Sequence, residues 1–561
     1  MGASRGRAVV AGAAPLGSTS YPVPSGALWV SPVGSDSAHG TQAAPLRTIE
    51  RAIAVAPEGG TIVLRAGVYH EGRALDLAMS STVSSSQAGA VFTGLHITKG
   101  LTIQACAGEV VWLDGSTQVT SWTAETGKWW TPWTLKLRRD PTYSFNVPDG
   151  TQPGWAFVNP AYPTAAWPDT VFLDGQPLAQ VDALSKVAAG TYFIDHATGR
   201  AWIGSDPGGH EVRVTDLQTA LGWWNKPGKL LGVGIRRYAT SMPSQAAVKA
   251  YDAPGTVVEN CHFEDCTAAG FGFFNSTGSR ASACTITRAG NIGAMATTSD
   301  DVTMENLRII QANYRRFNYA PSAGGIKVTR LRRFTLRESI IEQAYGTGFW
   351  ADESAWDVTV HSCDITDADD KAVILELGGK GLVCNNVLTG AGGDAILVLN
   401  FDQVRIIGNT IVGAGRLRNP TTGPKHTRGV NVMTDSRAPM TGSSVGLDPR
   451  YGTNWPTSDP WVIKAVTVGG NVITGSDLQA FLAVEELDRD KTPARGWQAL
   501  GLHAVGNVYA RRSSSETAWA WVLSTAGGPS ANPTVDTSLA SVQAKGLEAR
   551  SLLRDPGPTA G

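Results

Sequence analysis

Charge is scarce in this sequence and evenly split. Only 17% of the 561 residues are charged, 47 Lys and Arg against 48 Asp and Glu, for a net charge of −1. Without a basic excess, nucleic acid is not expected as a partner. Long hydrophobic runs are missing too. None approaches the roughly 18–20 residues that cross a bilayer as a helix, so no membrane partner is expected. Cysteine is sparse: Cys106, Cys261, Cys266, Cys284, Cys363 and Cys384 form no CxxC pair and no Cys/His cluster, so neither a metal site nor a cofactor is expected. Apolar content is not lacking. At 42% hydrophobic residues the chain is not a disordered one, and its length exceeds one ordinary core, which calls for several domains or a repeat. The 64 Gly and 30 Pro imply many turns. The 18 Trp exceed what packing usually demands, and serve either as platforms for flat ligands or as anchors between sheets.

A short motif recurs through the second half: Cys261-His-Phe263, Cys284-Thr-Ile286, Leu307-Arg-Ile309, Ser339-Ile-Ile341, Cys363-Asp-Ile365, Asn386-Val-Leu388 and Asn409-Thr-Ile411, then Asn471-Val-Ile473 and Asn507-Val-Tyr509. By subtraction the first seven lie about 23, 23, 32, 24, 23 and 23 residues apart. Such a period, built of β-branched runs and Gly/Asn turns, predicts an all-β fold: a right-handed parallel β-helix whose coils each hold three short strands. The first motif residues form a stacked column, with Cys261, Cys284 and Cys363 as polar ladder members and not nucleophiles. A second strand follows about nine residues later, at Gly270, Gly293, Gly348, Ala372, Ala395 and Ala480, delayed to Gly325 and Gly429 by the loops 315–323 and 414–428.

The remainder divides accordingly. Residues 1–27 read as a flexible N-terminal segment, expected to be the start of an exported chain whose signal has been removed, hence a secreted protein. Residues 28–114 read as an N-terminal cap with a helix from about Leu46 to Val55, followed by the first coils. Residues 115–221 lose the period, hold Trp122, Trp129, Trp130 and Trp133, and read as an inserted antiparallel β-sandwich. The β-helix occupies 222–512. A C-terminal cap with a helix around Ser538–Leu553 occupies 513–561.

Strand alternation sorts the faces of the second strands. Phe349/Ala351, Val373/Leu375, Ile396/Val398, Val430/Val432 and Phe481/Ala483 read as inward. Lys327/Thr329, Trp350/Asp352, Ile374/Glu376, Leu397/Leu399 and Asn431/Met433 read as outward. An outer face this apolar needs cover, and the long loops on either side, together with an insertion from about 435 to 460, supply the walls of a cleft. Asp352 and Glu376 take the same position in successive strands, so their α-carbons are expected about 5 Å apart. Carboxyls that close do not both ionise easily. One neutral acid beside one carboxylate is the requirement of retaining glycoside hydrolysis, where the carboxyls stand about 5–5.5 Å apart. Lys327, Trp350, Arg316, Asn318, Tyr319, His426 and Asn431 are the candidate substrate contacts. Glu353 is expected to turn inward or into the following bend. The acidic run Asp364, Asp367, Asp369 and Asp370 reads as a solvated corner.

The stretch GFWADESAWDVTVHSCDITDADDKAVILELGGKGLVCNNVL resembles the catalytic coils of glycoside hydrolase family 120, a β-xylosidase family built as a β-helix with an inserted β-sandwich. Trp350-Ala-Asp352 falls on that family's nucleophile motif and Leu375-Glu376-Leu377 on its acid/base motif. The resemblance implies Asp352 as nucleophile, Glu376 as acid/base and a carbohydrate as partner. Two other expectations compete: a polysaccharide lyase, using a base such as Lys327, and a non-catalytic carbohydrate-binding adhesin.

Overall fold

The computed structural model describes residues 10–72, 94–137, 139, 142, 149–150, 156–242, 245–414, 427–435, 437, 447–448, 450, 460–475, 480–486, 496–511, 514, 517–522 and 534–555. The chain forms a right-handed parallel β-helix. A typical coil runs Thr285–Thr287, Ile292–Thr297 and Thr303–Glu305, and each of its strands pairs in parallel with the strand one coil later. Among the described residues the coil strands sort into one 13-stranded sheet and one 24-stranded sheet. Between them lies one continuous apolar core that reaches from Val30 to Leu547.

Each corner before the 13-stranded sheet is turned by a single residue in the left-handed region: Asn260, Ala283, Asn306, Glu338, Ser362 and Asn385, all with φ between 49° and 56°. Such a conformation is strained for a residue with a Cβ. Except at Leu307, the residue after the corner is polar and ties the turn with hydrogen bonds, and before Asn409, Asn471 and Asn507 the corner residue is itself a glycine. Sγ of Cys261, Cys284 and Cys363 donates to the carbonyls of Glu259, Ser282 and His361 at 3.2–3.3 Å. Asn386, Asn409, Asn471 and Asn507 go further, because each carboxamide oxygen accepts from the backbone N–H of the residue one coil earlier. The polar column expected from the repeat is interrupted at Leu307, whose backbone N–H donates to the Ser339 hydroxyl, and its members are polar again from Ser339 to Ser551.

The coils begin upstream of the aperiodic region. Leu95–Ile97, Thr102–Ala105 and Val111–Asp114 pair with Leu221–Trp224, Lys229–Leu231 and Gly234–Arg236. The intervening residues leave the solenoid and return one coil later. Their described residues form a 4-stranded and a 5-stranded sheet, antiparallel except where Ala179–Gln180 runs alongside Thr191–Asp195. The two sheets share a core of Trp133, Val171, Tyr192, Ile194 and Val214.

Four expectations need correction. The described part of the N-terminal segment is pinned, not loose: the Gly12 N–H donates to the Asn306 carbonyl, and the Asn260 carboxamide to the Tyr21 hydroxyl. The first helix starts at Ile49, because Thr48 caps it and Leu46 bridges to Val30. The last helix spans only Leu539–Gln543, since Leu552–Arg554 is a strand that extends the 13-stranded sheet. The inward pair of the late coil is Leu482 and Val484, opposite Val430 and Val432, which leaves Ala483 outside beside Asn431. That one-residue slip arose at the position where earlier coils carry Gly or Ala. A Cβ at Gly348 would stand 2.6 Å from the Ala372 carbonyl and 2.6 Å from Ile365, whereas Phe481 fills the same position with its ring 5.6 Å from that of Tyr509.

Candidate active site

The strands Gly324–Thr329, Thr347–Asp352 and Val373–Cys384 lie side by side, with Lys327 opposite Trp350, Thr329 opposite Asp352 and Trp350 opposite Ile374. The same register brings Asp352 alongside Glu376. The outward side chains Trp350, Ile374, Leu397, Leu399 and Met433 pack into one patch. Above it is a pocket of about 350 Å³ lined by Tyr319, Asp352, Glu353, Asp370, Lys371, Glu376 and Arg437 along with Trp350, Ile374, Leu397 and Leu399 of the patch.

Both carboxyls are held. The Lys327 ammonium lies 2.9 Å from Asp352 Oδ2 and also donates to the Pro321 carbonyl at 2.9 Å. It sits 3.5 Å over the Trp350 ring, where the negative π face favours a cation. The backbone N–H of Glu353 donates to Asp352 Oδ1 at 2.7 Å. Glu376 accepts from Trp350 Nε1 at 3.1 Å through one oxygen and from Arg437 at 2.9 Å through the other. Burial, reinforced by the neighbouring Asp352 charge, raises the Glu376 pKa to about 7, against the opposing pull of Arg437 and Lys327. The site thus places a carboxyl that keeps its proton into the neutral range one coil away from an ion-paired carboxylate.

Of the expected contacts, Trp350, Lys327 and Tyr319 line or border this pocket with Asp352 and Glu376. Arg316 turns away onto the Tyr345 ring and pairs with Asp369 at 3.0 Å. Asn318 caps the short helix Tyr319–Ser322 and donates to the Ala156 carbonyl, a structural role. Asn431 is fully buried, donating to Asp394 and Glu485 at 3.1 and 3.2 Å, because the coil that follows covers it. His426 lies outside the described residues. Glu353 occupies the bend with φ 43° and pairs with Arg330 at 3.0 Å. Asp369 and Asp370 are buried, contrary to the solvated corner expected, since Arg316 and Lys371 neutralise them. Two cations at the site were not anticipated. Lys371 follows the acidic run directly, and an Asp-Lys step entering a strand was a usable signal. Arg437 lies in a long insertion with no register to place it, and its partner Asp435 was the sole hint.

A family model described as "right handed beta helix region" matches residues 236–356 and 316–445. A second, described as a protein of unknown function (DUF1565), matches residues 33–79. No curated protein sequence matches the chain. Among solved structures, XylC in complex with xylose is similar at 14% identity and TM-score 0.58, over 88% of this chain and 86% of that one. A glycoside hydrolase aligns at 12% identity and TM-score 0.47, over 86% and 96%. The A-module of the mannuronan C-5 epimerase AlgE6 from Azotobacter vinelandii aligns at 12% identity and TM-score 0.44, over 91% and 95%. At these identities the likeness is one of fold.

Proposed function

We propose that this protein is a secreted, retaining glycoside hydrolase of the kind to which its catalytic coils bear resemblance, with Asp352 as nucleophile and Glu376 as acid/base. The observation that carries this reading is the stacked pair itself. Two carboxyls one coil apart suit the short separation of retention better than the wider one of inversion, and burial beside the Asp352 charge keeps the Glu376 proton to higher pH. Glu376 donates its proton to the glycosidic oxygen as the bond to the anomeric carbon breaks. Asp352 Oδ attacks that carbon and forms a glycosyl ester. Glu376, now ionised, takes a proton from water, whose oxygen attacks the anomeric carbon and releases Asp352. Lys327 keeps Asp352 oriented while the ester is absent, and the XylC complex with xylose supports a carbohydrate as the ligand of such a fold.

The test is a pair of variants. Asp352→Asn should lose nearly all turnover, because an amide does not form the ester. Glu376→Gln should lose roughly 10²–10⁴-fold on substrates with poor leaving groups, and with an activated aryl glycoside azide should restore turnover. NMR of the first-formed sugar should show the starting anomeric configuration. An inverted sugar, azide rescue confined to Asp352→Asn, or an unsaturated uronate product in place of hydrolysis would each overturn the assignment.

A further inference from the structure

The outward file of side chains that ends in the carboxyl pair begins with rings. Read from the N-terminal side, the register runs Trp224, Tyr251, Phe274, Thr297, Thr329, Asp352. Three aromatics, two hydroxyls and then the candidate nucleophile therefore share one line along the solenoid axis. Their chain neighbours Trp223 and Phe273 fill the core, but these rings point out: Tyr251 is 40% exposed, and Trp224 and Phe274 are half-buried. Successive ring centroids are 6.4 Å apart with planes 26° and 29° from parallel. That separation is wider than face contact, so the rings form a splayed ladder. His96 packs its edge at 4.6 Å against Trp224 and steadies the far end. Thr297 and Thr329, hydroxyl to hydroxyl at 2.7 Å, bridge the gap to the pocket.

A file of partly exposed rings on a sheet invites association unless it has a ligand. The ligand suited to it presents flat C–H faces at a short repeat. A pyranose with equatorial hydroxyls does so, because its axial C–H groups carry the partial positive charge that the negative face of an aromatic ring attracts. The strand spacing of about 4.8 Å is close to the length of one such sugar, so sugar and coil stay in step. Phe274 lies three coils from Asp352, about 14 Å, and Trp224 five coils, about 24 Å.

We propose that Trp224, Tyr251 and Phe274 form a distal platform for a linear, β-1,4-linked pyranose chain of about five or six units whose scissile bond lies at Asp352 and Glu376. The proposal rests on the hydrolase reading for the scissile end but not for the platform. Xylose- and glucose-based β-1,4 hexasaccharides, each against its disaccharide, are the probes. With wild-type enzyme, kcat/KM should climb with chain length up to about six units. In Trp224→Ala/Tyr251→Ala the climb should stop at about three units, leaving the hexasaccharide on the order of tenfold poorer than with wild type. Direct calorimetric binding to Asp352→Asn, with and without the two ring substitutions, should show the same loss of hexasaccharide affinity. Turnover that is indifferent to chain length, or a hexasaccharide bound equally well without the rings, would overturn the platform. Ring-dependent hexasaccharide binding by a protein that hydrolyses no glycoside would keep the platform and remove the hydrolase reading. The single-ring variant Tyr251→Leu, which keeps apolar bulk, guards against misfolding of the double variant and should give an intermediate loss.

Discussion

Glu376 titrates where an acid catalyst needs to. Its ordinary value is 4.5, and burial together with the Asp352 charge lifts it to about 7. Below that pH the carboxyl holds the proton it is proposed to donate. kcat/KM should therefore fall as pH rises through about 7. The Arg437 guanidinium, 2.9 Å away, favours the ionised form and so holds this limit down. Arg437→Gln removes that pull, and the alkaline limb of the pH–rate profile should move to higher pH. A limb that stays put or moves down would mean that another group sets it. Asp352 and Glu376 were readable from spacing alone because a coil period converts sequence distance into register. Arg437 was not, since its position depends on how an aperiodic insertion folds back. Arg316 and Asn431 were misjudged for a related reason: proximity in sequence to the cleft does not say which carboxylate a side chain binds.

The coil corner is the element on which register depends. In Asn409 the carboxamide oxygen accepts from both nitrogens of Asn386, and its Nδ2 donates to the Val383 carbonyl and to Asn471. Asn409→Ala leaves several of these buried groups without partners, at about 1–3 kcal/mol each. The variant should unfold at a clearly lower denaturant midpoint, whereas Cys284→Ser, which keeps a small donor at the corresponding corner, should change the midpoint little. Equal losses in the two would mean that the ladder does not carry the corner. These corners were legible because the motif repeats a side-chain type at a fixed step. The late strand Ala480–Glu486 was shifted by one because Phe481 departs from the small-residue rule that marks the same place in earlier coils. Alternation alone does not detect such a slip.

At the scale of the molecule, the inserted sheets brace the wall of the pocket. Arg315 donates to the carbonyls of Trp167 and Asp169 and to the side chains of Gln180 and Thr170. Phe157 packs with Phe317 and Tyr319, and its carbonyl accepts from the Asn318 N–H at 2.8 Å. The same wall supplies the Pro321 carbonyl that holds Lys327 over Trp350. Arg315→Ala should therefore raise KM several-fold while far-UV circular dichroism keeps its β signature, and unchanged kinetics would rule the brace out. The loss of period in the sequence marked this insertion, but a contact between it and a loop some 150 residues away has no local signature. Stacking also carries a consequence for stereochemistry. Residues in one file have α-carbons at whole multiples of the strand spacing, about 4.8 Å or twice that, and side-chain length and rotamer adjust the gap between carboxyls from there. The first value lies near the separation for retention and the second near that for inversion. Leu399 is the next residue in the file after Glu376. In this architecture a carboxyl moved by one rung along the file would carry the pair from near the retaining separation to near the inverting one.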